Sequence, residues 1–325
     1  MKNILILCGG PSSEYEVSIF TTKEILKNID KSKFNPSIGL MNKTKQISFM
    51  SPSMFLSNKH TKYIRFNRAL IKIKEYDFVL ISMHGEFGED GKLQKIFERK
   101  GIKYHGSDSV SSKLCMDKYK STKLVSKSLK IHTPKTLKLK VGNILKYRHT
   151  YPLFIKPNKL GSSVGAGLIN NEKELKKYLK KVKSKTYSND YFLLQEYLKG
   201  IELSCGVLES KKGRFTLLPP VEILPKSVFF DYKSKYSDGE SIDNCPPTLV
   251  PENICKEISK YSRDIHKLLK CKSYSRSDYI YSNNKIYYLE TNTLPGLTKN
   301  SLLPREVKAI GMKYSELISF LIENS

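Results

Sequence analysis

The chain opens on an unbroken apolar run, Asn3 to Cys8, which predicts a buried strand, and Gly9-Gly10-Pro11-Ser12-Ser13 predicts the turn into a helix carrying Val17, Phe20, Ile25 and Ile29. A second apolar run, Tyr76 to Ser82, ends at His84-Gly85 ahead of a helix with Leu93, Ile96 and Phe97. Strand and helix alternate here, as in a small α/β domain with a mostly parallel sheet. From about Ser107 the pattern changes to a helix around Met116-Asp117-Lys118, a strand Tyr151 to Pro157, a Gly/Ser-rich loop and a strand Val164 to Ile169. In the lysine-rich helix that follows, Leu175, Leu179 and Val182 make an apolar stripe, and Lys173, Lys176, Lys177, Lys180 and Lys181 form a solvated face. The last third predicts strands Ile201 to Leu208, Phe215 to Pro219, Ser273 to Tyr281 and Lys285 to Asn292, with helices near Asn253 to Leu269 and Arg305 to Ile322.

Composition narrows the class. The 325 residues allow about two domains by length, and 39% apolar residues can fill a core. No apolar run approaches the ~20 residues of a membrane span. The 57 Lys+Arg against 31 Asp+Glu leave a net charge of +26, which raises nucleic acid, an anionic membrane or an acidic substrate as partners. Only eight of the basic residues are arginine, and the lysines are spread along the whole chain, so neither a specific nucleic-acid surface nor a membrane surface is expected. Six well-separated cysteines, with no CxxC pair, read as reduced structural thiols. The apolar stretch before Cys8 is shorter than a signal core, and a cytoplasmic location is expected.

Candidate chemistry falls in a few places. The loop from Lys156 through Gly161, Ser162 and Ser163 to Gly167 lets backbone N–H groups approach an anion, with Lys156 as a point charge; a hairpin tip explains it equally well. On the last two strands, Arg276 shares a face with Asp278, and Glu290 with Asn292. A three-residue turn of Asn283, Asn284 and Lys285 would set Asp278 opposite Glu290, and a two-residue turn would put the carboxylates on opposite faces. Together they are hard oxygen ligands suited to magnesium on nucleotide phosphates; alone they would read as an ordinary charged ladder. His84 lies at a strand end, where open α/β sheets place ligands, although a lone histidine is more often structural. Glu14 is suited to a substrate ammonium or to the helix dipole. The loop Phe230 to Gly239, with Lys235 and Tyr236, could close over a site or simply lie on the surface.

In this order, GGPSSEYEVS, HGEFGEDGKLQ, MDKYKS, FIKPNKLGSSVG, DYKSKY, CPPTL, RSDYIY and LETNTLPGLTKNSL resemble the D-alanine–D-alanine ligases of the ATP-grasp superfamily, over nearly the whole chain. The resemblance implies an α/β (α+β) ATP-grasp fold of three domains: a Rossmann-like 1–106, a central 107–197 and a catalytic 198–325, with ATP between the last two. It implies ATP-dependent joining of two D-alanines through an acyl phosphate, for peptidoglycan precursors, by a cytoplasmic homodimer. Lys118, Lys156, Lys235, Glu202 and the stretch Gln195, Glu196, Tyr197 and Leu198 would bind ATP. Asp278, Glu290 and Asn292 would hold magnesium, two ions, with manganese as a substitute. Glu14 would hold the first D-alanine's ammonium, linked to Ser162 and Tyr236. Arg276 and the Gly296 N–H would stabilise the oxyanion, Ser301 and the Leu302 backbone would take the second carboxylate, and His84 would assist near its amine. Gln195 departs from the family's frequent Glu, and the high basicity is also unusual there. A D-lactate or D-serine acceptor is the alternative within the family; a non-catalytic ATP-binding relative is the alternative outside it.

Overall fold

The computed structural model describes residues 1–161, 164–183, 191–225 and 241–325. Three sheets follow one another along the chain. The first contains β1 (Lys2–Gly9), β2 (Phe34–Met41), β3 (Ile47–Met50) and β4 (Phe78–Ile81), in the order β3-β2-β1-β4. β1 is parallel to both its neighbours, and only the β2–β3 pair is antiparallel. The apolar run of β1 is explained by that position, since a central parallel strand is covered on both faces. α1 (Tyr15–Asn28) buries Val17 and Ile25, but Phe20 of the expected apolar face points to solvent at 63% exposure. α2 (Pro52–Leu56), α3 (Phe66–Ile73) and α4 (Lys92–Lys100) complete this unit.

The expected helix around Met116-Asp117-Lys118 is two helices, α5 (Ser109–Met116) and α6 (Lys118–Leu129). Asp117 breaks the first and caps the second, with a non-helical ψ of 86° and its carboxylate accepting from the Lys120 N–H. The second sheet, β5 (Thr136–Lys140), β6 (Leu153–Pro157), β7 (Gly167–Ile169) and β8 (Tyr191–Glu196), is antiparallel in the order β5-β8-β6-β7. α7 (Glu172–Lys183) lays Leu175, Leu179 and Val182 on it, as the stripe predicts.

The third sheet holds β9 (Ile201–Glu209), β10 (Phe215–Leu217), β11 (Val221–Pro225), β12 (Ser241–Asn244), β13 (Tyr274–Ser282) and β14 (Lys285–Asn292). Its order is β12-β11-β9-β13-β14, with β10 also on β9. α8 (Glu252–Leu268), α5 and α6 share its core through Val125, Cys205, Ile258 and Tyr288. The single helix expected over Arg305 to Ile322 is also two, α9 (Leu302–Ala309) and α10 (Tyr314–Glu323), parted at Gly311, where φ is +82°. Leu303, Val307, Leu317 and Leu321 of these helices join the core of the first sheet, so the first and third units share one apolar cluster. His105 bridges them: its Nδ1 accepts the Ile81 N–H and its Nε2 meets the Tyr274 hydroxyl at 3.0 Å. Burial holds His105 neutral by pushing its pKa down to about 3. Among the described residues no helix is long and apolar enough to cross a membrane.

Candidate active site

The site is built on the β9, β13 and β14 ladder. The turn at Asn283-Asn284 is the two-residue kind, with φ of 48° and 57°, and Ser282 pairs with Lys285. Left unbroken, that register would separate the carboxylates. A bulge at Leu289 shifts the pairing by one residue, so Tyr279 faces Tyr288 while Asp278 faces Glu290 and Arg276 faces Asn292. Arg276 grips Asp278 with two parallel bonds, Nε to Oδ1 at 3.0 Å and a terminal nitrogen to Oδ2 at 3.1 Å. Ser204 donates to Oδ1 at 2.5 Å, and Asn292 Nδ2 donates to Oδ2 at 3.1 Å. Among the described residues, no three His, Cys, Asp or Glu side chains gather closely enough to hold a metal by themselves.

Two lysines reach Glu290 from the second sheet and from α6. Lys156, on β6, donates to Glu290 Oε2 at 3.0 Å; Lys118 stands 3.6 Å from the same oxygen and donates to the Leu160 carbonyl at 2.9 Å. Asn158 sets their relative positions. Its Nδ2 donates to Asp117 at 2.9 Å, its Oδ1 accepts the Tyr119 N–H at 2.9 Å, and its carbonyl accepts the Lys118 N–H at 3.2 Å, locking the start of α6 to the end of β6.

Two cavities meet at this cluster. The larger, about 270 Å³, lies between the second and third sheets. Lys118, Lys156, Gln195, Glu196, Tyr197, Leu198 and Glu202 line it, with apolar walls from Phe154, Ile223 and Leu289. The Gln195 amide nitrogen donates to Thr136 Oγ1 at 3.0 Å, which leaves its carbonyl oxygen as the acceptor it can offer a ligand. The smaller, about 120 Å³, is lined by Glu14, His84, Arg276, Asn292, Gly296 and Ser301. Glu202, Ile223, Asp278 and Glu290 form part of both walls.

The turn after β1 delivers Glu14. Ser18 accepts the Gly9 N–H and donates to the Ser82 carbonyl, tying α1 to the ends of β1 and β4. Glu14 is buried beneath Gly85 and Gly161; a Cβ on Gly85 would stand 2.6 Å from its Oε2, and φ there is +66°. His84 is buried 3.3 Å from Thr21 Oγ1, and burial lowers its pKa against the pull of Glu14, so it is a neutral imidazole. Ser301, which precedes α9, bonds Thr298 through its hydroxyl at 2.8 Å, and its Oγ lies where a side chain on Gly296 would go. Ser162, Lys235 and Tyr236 lie outside the described residues.

Residues 3–107 match the family model for the D-ala D-ala ligase N-terminus, and 125–323 the model for its C-terminus. The chain belongs to the D-alanine–D-alanine ligase family. It is 33% identical to the D-alanine–D-alanine ligase of Clostridium botulinum (strain Alaska E43 / Type E3) over 325 residues, 98% of this chain and 97% of that one. The VanG D-Ala:D-Ser ligase of Enterococcus faecalis superposes with a TM-score of 0.81 at 30% identity, over 99% of this chain and 98% of that one. The Bacillus anthracis D-alanine–D-alanine ligase complexed with ATP does so at 0.74 and 30% identity, over 100% and 97%. Like these ligases, the chain has an ATP-grasp fold.

In and behind this candidate site the structure adds three carboxyl groups that the sequence did not single out. Glu89, half-buried on the wall of the smaller cavity, accepts the Gly85 and Leu294 N–H groups, and the loss of water around its carboxyl, with Glu14 nearby, pushes it up to about 7. Its signal was the Gly88-Glu89-Asp90-Gly91 run, which reads locally as a turn. Asp243 lines the same cavity and pairs with Arg305 at 3.5 Å. Glu306 is fully buried on α9 and has no local sequence signal.

Proposed function

We propose that the chain joins two D-alanines into D-alanyl-D-alanine at the expense of ATP, for peptidoglycan precursors, as its family membership and curated relatives support. The observation that carries this reading is the common wall of the two cavities, where Asp278 and Glu290 are met by Arg276 from the smaller cavity and by both lysines from the larger. ATP lies in the larger cavity, its adenine against Gln195 to Leu198, its ribose at Glu202 and its phosphates toward Lys118, Lys156 and Lys235. A carboxylate oxygen of the first D-alanine attacks the γ-phosphorus and ADP leaves; the amine of the second attacks the acyl carbon and phosphate leaves. Positioning and charge neutralisation account for most of the rate in such transfers.

Glu14 holds the first ammonium, in a network with Ser162 and Tyr236. Arg276 and the Gly296 N–H face the oxyanion that forms when the acyl phosphate is attacked. Ser301 and the Leu302 N–H take the second carboxylate, and neutral His84 sits near its amine as a proton acceptor. Asp278, Glu290 and the Asn292 amide oxygen are hard oxygen donors that fit Mg2+ and would hold it here. When bound, two such ions, or Mn2+ in their place, would neutralise phosphate charge.

On the family resemblance we also propose three domains, 1–106, 107–197 and 198–325, and a cytoplasmic homodimer. The likeness to the VanG D-Ala:D-Ser ligase favours one second reading, a D-serine acceptor. The test is phosphate release from ATP and magnesium with D-alanine, with L-alanine as control and the product identified by mass. D-alanyl-D-alanine is the expected product; turnover only when D-serine is added would favour the second reading.

A further inference from the structure

Glu306 is a buried carboxyl group to which the ligation steps assign no task. Its Oε2 accepts the Gly206 N–H at 2.7 Å, and its Oε1 has no hydrogen-bond partner among the described residues. A buried carboxyl with an orphan oxygen costs more than an apolar side chain of similar size, so the packing of α9 does not by itself require glutamate here.

The place of Gly206 in the sheet supplies a reason. On that edge of β9, β11 pairs as far as Ser204 and β10 pairs only from Val207, which leaves Gly206 in the gap between two strands. Without Glu306 its N–H would be a buried donor with nothing to bond. On the other edge Gly206 stands directly opposite Arg276. A Cβ at Gly206 would come within 2.3 Å of Glu306 Oε2, so the carboxyl fills the space of the missing side chain, on the face that carries Ser204 and Arg276. Burial outweighs the pull of Arg276 and raises the carboxyl to about 8, so at neutral pH it keeps its proton and leaves the charge of Arg276 to Asp278.

We propose that Glu306 is a positioning residue for Arg276: it closes the backbone hydrogen bond left open at Gly206, fixes the strand segment opposite Arg276, and so sets the guanidinium at the height of the developing oxyanion. This rests on the ligase reading of Arg276. The test compares Glu306→Gln, which keeps an accepting oxygen, with Glu306→Leu, which does not. Steady-state kinetics with D-alanine and ATP are measured beside hydrogen exchange at the Gly206 amide. Gln should keep kcat within about twofold, and Leu should lose at least about tenfold in kcat with KM for ATP unchanged. The Gly206 amide should exchange faster in Leu alone. Should the Leu protein fail to fold, Glu306→Asn, the same amide one carbon shorter, takes its place in the comparison. A wild-type kcat in Leu or Asn, or an equal loss in Gln, would overturn the proposal. Failure of the ligase reading would look different: the wild-type chain would make no dipeptide, while the Gly206 exchange contrast would persist.

Discussion

Asp278 and Glu290 face each other across the β13–β14 ladder because Leu289 is the bulged residue between them and the turn. The bulge re-aims a whole strand end and brings Glu290 within 3.0 Å of Lys156. Glu290→Gln preserves that register and removes only the charge that two lysines and a cation would share. Turnover should fall by about 100-fold or more with an unchanged circular dichroism spectrum. Retained activity with ordinary magnesium dependence would remove Glu290 from the metal site.

Asn158 fastens α6 to β6 and thereby sets Lys118 against Lys156, so at the proposed ATP site it would couple stability to nucleotide binding. Asn158→Ala deletes two buried side-chain hydrogen bonds and uncovers the Asp117 carboxylate. A loss of about 2 kcal/mol in urea unfolding is expected, together with a rise in KM for ATP. A variant destabilised by that amount but with wild-type KM would show that Asn158 serves the fold alone.

Tyr236 tests acceptor choice. By the family resemblance, tyrosine at this place goes with an amine acceptor and phenylalanine with a hydroxy acid. Tyr236→Phe should therefore shift product from the dipeptide toward the D-alanyl-D-lactate ester when both acceptors compete. An unchanged product ratio by mass spectrometry would take Tyr236 out of the selectivity argument.

Much of this was readable in the chain because period and chemistry coincide there. β1 is a plain apolar run, the α7 stripe repeats at helical spacing, and Arg276, Asp278, Glu290 and Asn292 sit on alternating strand positions. The residues the sequence concealed depend on long-range or single-residue geometry. Leu289 looks like any strand leucine, and only pairing with β13 makes it a bulge. Asp117 and Gly311 end helices by their backbone angles inside stretches whose apolar spacing runs on without a break. Glu306 and Gly206 are 100 residues apart, so the contact that gives the carboxyl its partner leaves no local trace.

Glu89 and Glu306 also predict how stability depends on pH. Glu306 is fully buried and Glu89 partly so, and their pKa values rise from the usual 4.5 to about 8 and about 7. A raised carboxyl pKa means that the folded chain holds a proton the unfolded chain has released. The contribution is therefore complete below pH 4.5 and is lost as pH climbs through 7 and 8, at about 1.4 kcal/mol per pH unit per group while the two states differ. His105 works in the opposite sense: its pKa falls from 6.5 to about 3, so its contribution is present above 6.5 and lost as acid is added. Between these limits the effects oppose one another, and above pH 6.5 the two carboxyl groups act alone among the three. Urea midpoints of the wild-type protein should fall from pH 6.5 to 8, and Glu306→Gln should make that fall shallower and remove most of it above pH 7, leaving only the limb below pH 4.5 unaltered. Parallel profiles for the wild type and the variant would mean that Glu306 is already ionised in the folded protein at neutral pH.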